Sequence, residues 1–387
     1  MTHPVSGSPL GRAPRAAVHA LLCGACLLAG CGRAGGNALV LGLAIPLTDG
    51  GGKPDVYGVR SRMGAELAVK EINAGGGIGG DSLRLRVVDD HGDPGTAPTV
   101  ADSLVADPQV LAVVGHVYSG TTLKAAERYQ GHLAALATSA TSPEISRLGD
   151  WIYRMAGSDS ANAVALARAA RGMGRRIGVL YSNDDYGQGL ARNFTSALRQ
   201  GGVEVLTADP FLDATPDFRP YLRRMKARGV DLVFVAGLQD PAARAITQAR
   251  EAGLQARFLG GDGIEGLAEM GSGFDGTTVG VLFHPQMSDS ARAFTARFRA
   301  RFGQNPDSQA ALAYDAVRLM ARALRDGARS PEAVRAYLQT VGRSGGSDAF
   351  EGAAGTVKFD SNGDPVDKRF TLGVIGGGGI RLPEGAR

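Results

Sequence analysis

From residue 38 onward the chain alternates short apolar runs with longer segments in which apolar positions recur at helical spacing. Leu39 to Ile45 predicts a strand. Tyr57 to Asn73 predicts an amphipathic helix, with Met63, Leu67 and Ile72 on one side and Arg60, Glu66, Lys70 and Glu71 largely elsewhere. Strand Leu83 to Val88, helix Ala97 to Ala106, strand Val110 to Val114, helix Thr121 to Gln130 and strand Leu133 to Ala137 follow. After a transition near Trp151 to Met155 the rhythm restarts through helix Ala161 to Arg171, strand Arg176 to Tyr181, helix Gln188 to Gln200 and strand Val203 to Leu206. It continues with helix Phe218 to Arg228, strand Asp231 to Ala236, helix Pro241 to Glu251 and strand Arg257 to Leu259. Ser290 to Thr340 reads as mainly helical and Gly355 to Ile380 as β-rich. Such alternation means βαβ units with parallel sheets and right-handed crossovers. Two successive series predict an α/β protein of two doubly wound lobes. Ligands of open α/β sheets sit beyond the carboxyl ends of the strands, so facing lobes put a cleft between two sets of strand-end loops.

The first 31 residues follow a different pattern. Arg12 and Arg15 precede an apolar stretch, Ala16 to Ala29, that ends in Leu28-Ala29-Gly30-Cys31. The stretch is too short for a stable transmembrane helix and reads as an export leader. Its end resembles a bacterial lipobox: small residues suit a signal peptidase pocket, and the Cys31 thiol is a nucleophile able to take a diacylglyceryl group. The expectation is a lipoprotein signal peptide over 1–31, lipidation at Cys31 and a flexible, glycine-rich tether over 32–37. An ordinary signal peptide with an incidental cysteine is the alternative.

Composition supports export. The only three cysteines, Cys23, Cys26 and Cys31, fall in the leader, so the mature chain has no disulfide, thiolate nucleophile or cysteine metal site. Losing the leader's two arginines leaves 40 basic against 38 acidic residues, too balanced to suggest nucleic acid as a partner. The 57 glycines lie at turns and helix ends rather than in one tract.

Several ordered segments carry a family resemblance: Ile45-Pro46-Leu47-Thr48, Gly64 to Val69, Glu71-Ile72-Asn73-Ala74 with Gly75 to Gly80, and Asp89-Asp90-His91-Gly92-Asp93-Pro94. Gly115-His116, Ala140-Thr141-Ser142-Pro143-Glu144 and Asp184 to Ala191 continue it. In this order and spacing the chain resembles the branched-chain amino acid (leucine/isoleucine/valine) binding proteins of ABC transporters, from about Val40 to about Gly263 and more weakly beyond. The resemblance implies a type I periplasmic binding protein, a Venus-flytrap of two lobes joined by three crossovers. It implies one lobe from 38–155 plus about 285–342, and another from about 156–284 plus 343–387.

It also implies a site. The family holds a ligand carboxylate with a serine and backbone N–H groups, and a ligand ammonium with a threonine, a backbone carbonyl and an acid. The serine maps to Ser119, expected just ahead of a helix starting near Thr121, whose N-terminus attracts a carboxylate; capping of that helix is the plainer alternative. The threonine maps to Thr141, with Ser139 and Ala140 offering backbone groups. Tyr186 maps to the residue through which the second lobe closes on the ligand, and Tyr57 to an aromatic on the rim. The acid maps to Asp262, where amino acid binders commonly carry Glu; aspartate is shorter by about 1.5 Å. Tyr118 and Gly92 occupy positions that form a disulfide in many relatives, which leaves Tyr118 free to narrow the pocket.

Other signals carry less. The glycines Gly75, Gly77 and Gly80 spell G-x-G-x-x-G but follow a helix instead of opening one, so they read as a helix-ending turn. Asp360 to Asp364 imitates a calcium loop, yet Pro365 and Thr371 stand where glycine and glutamate are required. His91, His116, His132 and His284 are scattered, without metal spacing. No nucleophile elbow or phosphate loop is present. The expectation is a monomeric, non-enzymatic binder without cofactor or metal that passes a small ligand, an amino acid of branched-chain type, to an ABC transporter permease. A sensing module for a signalling receptor, a binder of amides or aromatic or organic acids, and an enzyme on the same fold are the alternatives.

Overall fold

The computed structural model describes residues 38–383. Cys31 and the leader and tether lie outside the described residues. The first series gives β1 (Ala38–Ile45), α1 (Val56–Ala74), β2 (Ser82–Asp89), α2 (Ala97–Val105), β3 (Val110–Gly115), α3 (Ser119–Tyr129), β4 (Ala135–Ala137) and β5 (Ile152–Arg154). Its strands are all parallel, in the order β2-β1-β3-β4-β5.

The second series gives α4 (Asp159–Met173), β6 (Ile177–Ser182), α5 (Asp185–Gln200), β7 (Val205–Phe211), α6 (Arg219–Ala227), β8 (Leu232–Ala236), α7 (Gln239–Glu251), β9 (Arg257–Gly260) and β10 (Thr278–Val281). The chain then runs through α8 (Asp289–Phe302), α9 (Ser308–Arg325), α10 (Pro331–Leu338) and the hairpin β11 (Phe350–Gly352) and β12 (Gly355–Val357). It ends in β13 (Thr371–Ile375) and β14 (Ile380–Arg381). The second sheet has the order β14-β13-β10-β9-β8-β6-β7. Strands β6 to β10 are parallel, while β13 and β14 add antiparallel to the edge. The parallel expectation therefore holds for the body of this sheet and not for its late edge.

Burial explains the runs. Strands β1 and β8 are central and covered on both faces, so they read as continuous apolar segments instead of alternating ones. Nearly all of α9 is buried, against α1. The two helices approach closely because Gly64 has no side chain: a Cβ there would stand 1.9 Å from the Ala310 carbonyl oxygen. His116 is a core residue, bonded to Asp90 at 2.5 Å and to the Tyr129 hydroxyl at 3.0 Å. Among the described residues no helix is long and apolar enough to cross a membrane.

Strand order reverses beside β1 in the first sheet and beside β6 in the second. The loops after β1, β3 and β4 therefore meet those after β6, β8 and β9.

Candidate functional site

The first-lobe wall is organised by Asp55. One carboxylate oxygen caps α1 by accepting from the Tyr57 and Gly58 amides at 2.9 and 3.1 Å. The other accepts the Tyr118 hydroxyl at 2.8 Å. Burial pushes the Asp55 carboxyl up, partly offset by the bond from Tyr118. The Tyr118 ring packs edge-on against Tyr57, centroids 5.7 Å apart. It also covers Gly92, where a Cβ would come within 2.8 Å of the ring. The two positions read as a lost disulfide are thus in contact, bridged by an aromatic ring.

Helix α3 starts at Ser119, earlier than the expected Thr121, with Tyr118 as its uncapped N-cap. Ser119 and Gly120 are therefore in the first turn and do not precede it. The first amide paired within the helix is that of Thr122, to the Tyr118 carbonyl at 3.0 Å. The amides of Ser119, Gly120 and Thr121 stand at its positive end. Neither Ser119 nor Thr121 caps the helix. The Ser119 hydroxyl accepts from the Ser142 amide at 3.1 Å, which leaves its proton to donate.

Thr141 lies deeper. Its hydroxyl donates to Oδ2 of Asp159 at 3.0 Å, and its carbonyl accepts the Asp159 amide at 2.9 Å. Asp159 is fully buried, and its Oδ1 has no partner. Desolvation first, and then the nearby Asp262 carboxylate, push the Asp159 carboxyl well above the usual carboxylate range. Ser139 donates to the Val117 carbonyl at 3.2 Å, and Ala140 is buried beside it.

The second-lobe wall is built on α5 and the turn after β9. Asp184 caps α5 through the Gly187 amide at 2.7 Å. This holds Tyr186 in the first turn, with its hydroxyl donating to Oδ1 of Asp262 at 2.9 Å and accepting from the Gly263 amide at 3.1 Å. Burial pushes the Asp262 carboxyl up to about 6, against the lowering effect of the Tyr186 bond. Tyr57 joins the lobes directly: its hydroxyl donates to the Gly263 carbonyl at 2.7 Å and accepts from the Gln239 amide at 2.8 Å.

Tyr57, Tyr118, Ser119, Ser139, Tyr186 and Asp262 surround one small cavity of about 30 Å³. Ala140 and Thr141 are not among its lining residues. Thr141 bonds Asp159, which is buried near Asp262, also outside the lining, and which sequence reasoning missed. Asp159 opens α4 in Gly157-Ser158-Asp159-Ser160, and that pattern signals only a helix start, which Ser158 supplies by accepting from the Ser160 amide. Asp55 likewise reads as an ordinary cap. Gln309, on the first turn of α9 and lining the same cavity, has no local signal at all. Among the described residues no group of three histidine, cysteine or acidic side chains is placed to hold a metal ion.

A family model described as a periplasmic binding protein matches residues 39–379. The chain is 30% identical over 342 residues to Leu/Ile/Val-binding protein homolog 1 of Brucella suis, covering 86% of this chain and 89% of that one. It is 30% identical over 345 residues to the leucine-, isoleucine-, valine-, threonine-, and alanine-binding protein of Pseudomonas aeruginosa, covering 87% and 89%. Among solved structures, the branched-chain amino acid transporter substrate binding protein of Streptococcus pneumoniae in complex with isoleucine superposes with a TM-score of 0.80. It is 25% identical and covers 90% of this chain and 99% of that one. A substrate-binding protein of Desulfitobacterium hafniense in complex with leucine gives a TM-score of 0.76 at 27% identity, covering 90% and 100%. The resemblance and the fold class read from the sequence are borne out.

Proposed function

The chain belongs to the periplasmic binding protein family, and from that premise we propose that it captures a free α-amino acid between its lobes and delivers it to an ABC transporter permease. The observation that carries this reading is the polarity of the small cavity. Ser119 and the positive end of α3 stand on one wall, and the Tyr186–Asp262 pair stands on another. A carboxylate suits the first and an ammonium the second. Asp159, held by Thr141, adds a second acceptor on the ammonium side. Charge-assisted hydrogen bonds contribute roughly 1.5–3 kcal/mol each, so four or five, after ordering costs, reach the ~8 kcal/mol of a micromolar site. The names of relatives that bind leucine, isoleucine, valine, threonine or alanine support an amino acid as the ligand class.

The ligand favours the closed form because only there does it touch both walls. The hinge consists of three crossovers: after β5, after β10, and after the hairpin β11–β12. The last lies later than residue 343 because the hairpin binds a first-lobe helix, the Ala353 and Ala354 amides donating to Asp315 at 2.7 Å. It runs instead past Lys368, whose carbonyl oxygen would meet a Cβ on Gly157 at 2.0 Å. Cys31 carries the lipid that anchors the exported, monomeric chain to a bacterial membrane. A thermal-shift screen of the mature chain against the common amino acids tests the ligand class: at least one raises the melting temperature, and a panel in which only amides or aromatic or organic acids do so contradicts it.

A further inference from the structure

Arg154, the last residue of β5, is completely buried, yet it is not among the residues that line the small cavity. All three nitrogens of its guanidinium are committed at 2.8 Å: Nε donates to Oδ1 of Asp364, Nη1 to the Ser142 carbonyl and Nη2 to the Ser146 hydroxyl. Ser146 in turn donates to Oδ2 of Asp364 at 2.6 Å. Both carboxylate oxygens of Asp364 therefore have protein donors. Asp364 closes the turn that imitates a calcium loop, in which Asp360 accepts the amides of Asn362 and Asp364 at 2.8 and 3.0 Å. The Arg154 amide fastens this turn to β5, donating to the Gly363 carbonyl at 3.1 Å.

The clamped loop reaches the cavity through one residue. Ser142, whose carbonyl Arg154 holds, donates its amide to the Ser119 hydroxyl at 3.1 Å. With that lone pair engaged, Ser119 has its proton to offer the cavity that it lines. A buried ion pair is often no more stabilising than apolar side chains of the same volume, whereas a planar guanidinium with three fixed bonds sets directions. Arg154 also stands at the start of the first crossover and Asp364 ahead of the third, so the clamp ties the Ser142 loop to both. We propose that Arg154, held by Asp364, is a positioning residue for the carboxylate seat, acting through the Ser142 backbone that orients Ser119. This rests on the amino acid reading and extends it to residues outside the cavity wall.

The test is a double-mutant cycle read by calorimetry of the mature chain, at a temperature where every variant titrated is folded. The probe is whichever of L-leucine, L-isoleucine, L-valine, L-threonine and L-alanine binds the parent tightest. Asp364→Asn, which loosens Arg154, is expected to weaken that amino acid by at least about fivefold in the parent. In a Ser119→Ala background the same substitution is expected to cost less than about twofold, because the residue through which it acts is already gone. Ser146→Ala removes one bond from each member and leaves the pair, so it is expected to cost about threefold in the parent and nothing further beside Ser119→Ala. This milder variant carries the test where Asp364→Asn does not fold. Equal weakening in the two backgrounds, or unchanged affinity in the parent, overturns the positioning role and leaves the amino acid reading intact. Absence of binding by all five amino acids overturns both.

Discussion

Tyr186 donates its hydroxyl proton to Asp262 at 2.9 Å, yet this bond does not offset the loss of water around a carboxyl that burial pushes up to about 6. In the proposed function the pair recognises the ligand at a cost in stability, because the buried carboxylate has no cation beside it among the described residues.

The direction of that displacement sets how stability depends on pH. The folded carboxyl sits above its unfolded value of 3.8, so the folded state binds more protons between the two values. Its favourable contribution is complete below about 3.8 and is lost as pH rises through about 6. Raising a carboxyl by about two pH units is equivalent to about 3 kcal/mol. Asp262→Asn should therefore stabilise the unliganded chain by about 1–3 kcal/mol at pH 8 and have little effect near pH 4, as read by urea unfolding at both values. An equal change at the two pH values would contradict this origin. Affinity has the opposite sign: an ammonium ligand prefers the carboxylate, so binding weakens as pH falls through about 6.

Asp159 is a second buried acid near Asp262. With Thr141 as its side-chain donor and its Oδ1 unpartnered, an uncharged isostere fits the same space. Asp159→Asn is expected to keep the melting temperature of the unliganded chain or raise it, and to weaken an amino acid by about tenfold or more. Unchanged affinity in titration calorimetry would place Asp159 outside the ammonium seat.

How much of this was legible varies by residue. The lobes were readable because β1 and β8 are buried on both faces and leave unbroken apolar runs. That Tyr57, Ser119, Tyr186 and Asp262 come together around one cavity was readable through the family resemblance. The local geometry of Ser119 was not, because whether a helix starts at 119 or 121 depends on Tyr118, whose hydroxyl is held by Asp55 from another loop. Asp159 and Gln309 were hidden for the same reason. What surrounds them is brought near by tertiary folding; Asp159 reads locally only as the start of a helix, and Gln309 carries no local signal.

Tyr57 bridges the two walls. Tyr57→Phe removes the donor to the Gly263 carbonyl and the acceptor of the Gln239 amide. Losing these bonds should destabilise the closed form by about 1–3 kcal/mol. Small-angle scattering of the ligand-saturated variant should show a more open particle than the parent, with faster ligand release in stopped flow. Identical scattering and release would assign Tyr57 to the ligand wall alone.

The anchor is tested apart from the pocket. Cys31→Ala should move the protein expressed in its bacterial host from the detergent-extracted membrane fraction to the soluble exported fraction, with ligand binding unchanged. Retention in the membrane fraction would rule out lipidation at this cysteine.

The most direct test of the central claim, a seat for both ends of an amino acid, is a calorimetric comparison. The tightest-binding amino acid from the screen is titrated into the mature chain at pH 8, followed by the same molecule without its α-amino group. The expected result is one-to-one binding of the amino acid at micromolar dissociation constant or below, with the deaminated acid weaker by roughly 2–5 kcal/mol because Asp262 is left buried and unpaired. Equal affinity for the two, or no binding by any amino acid, contradicts it.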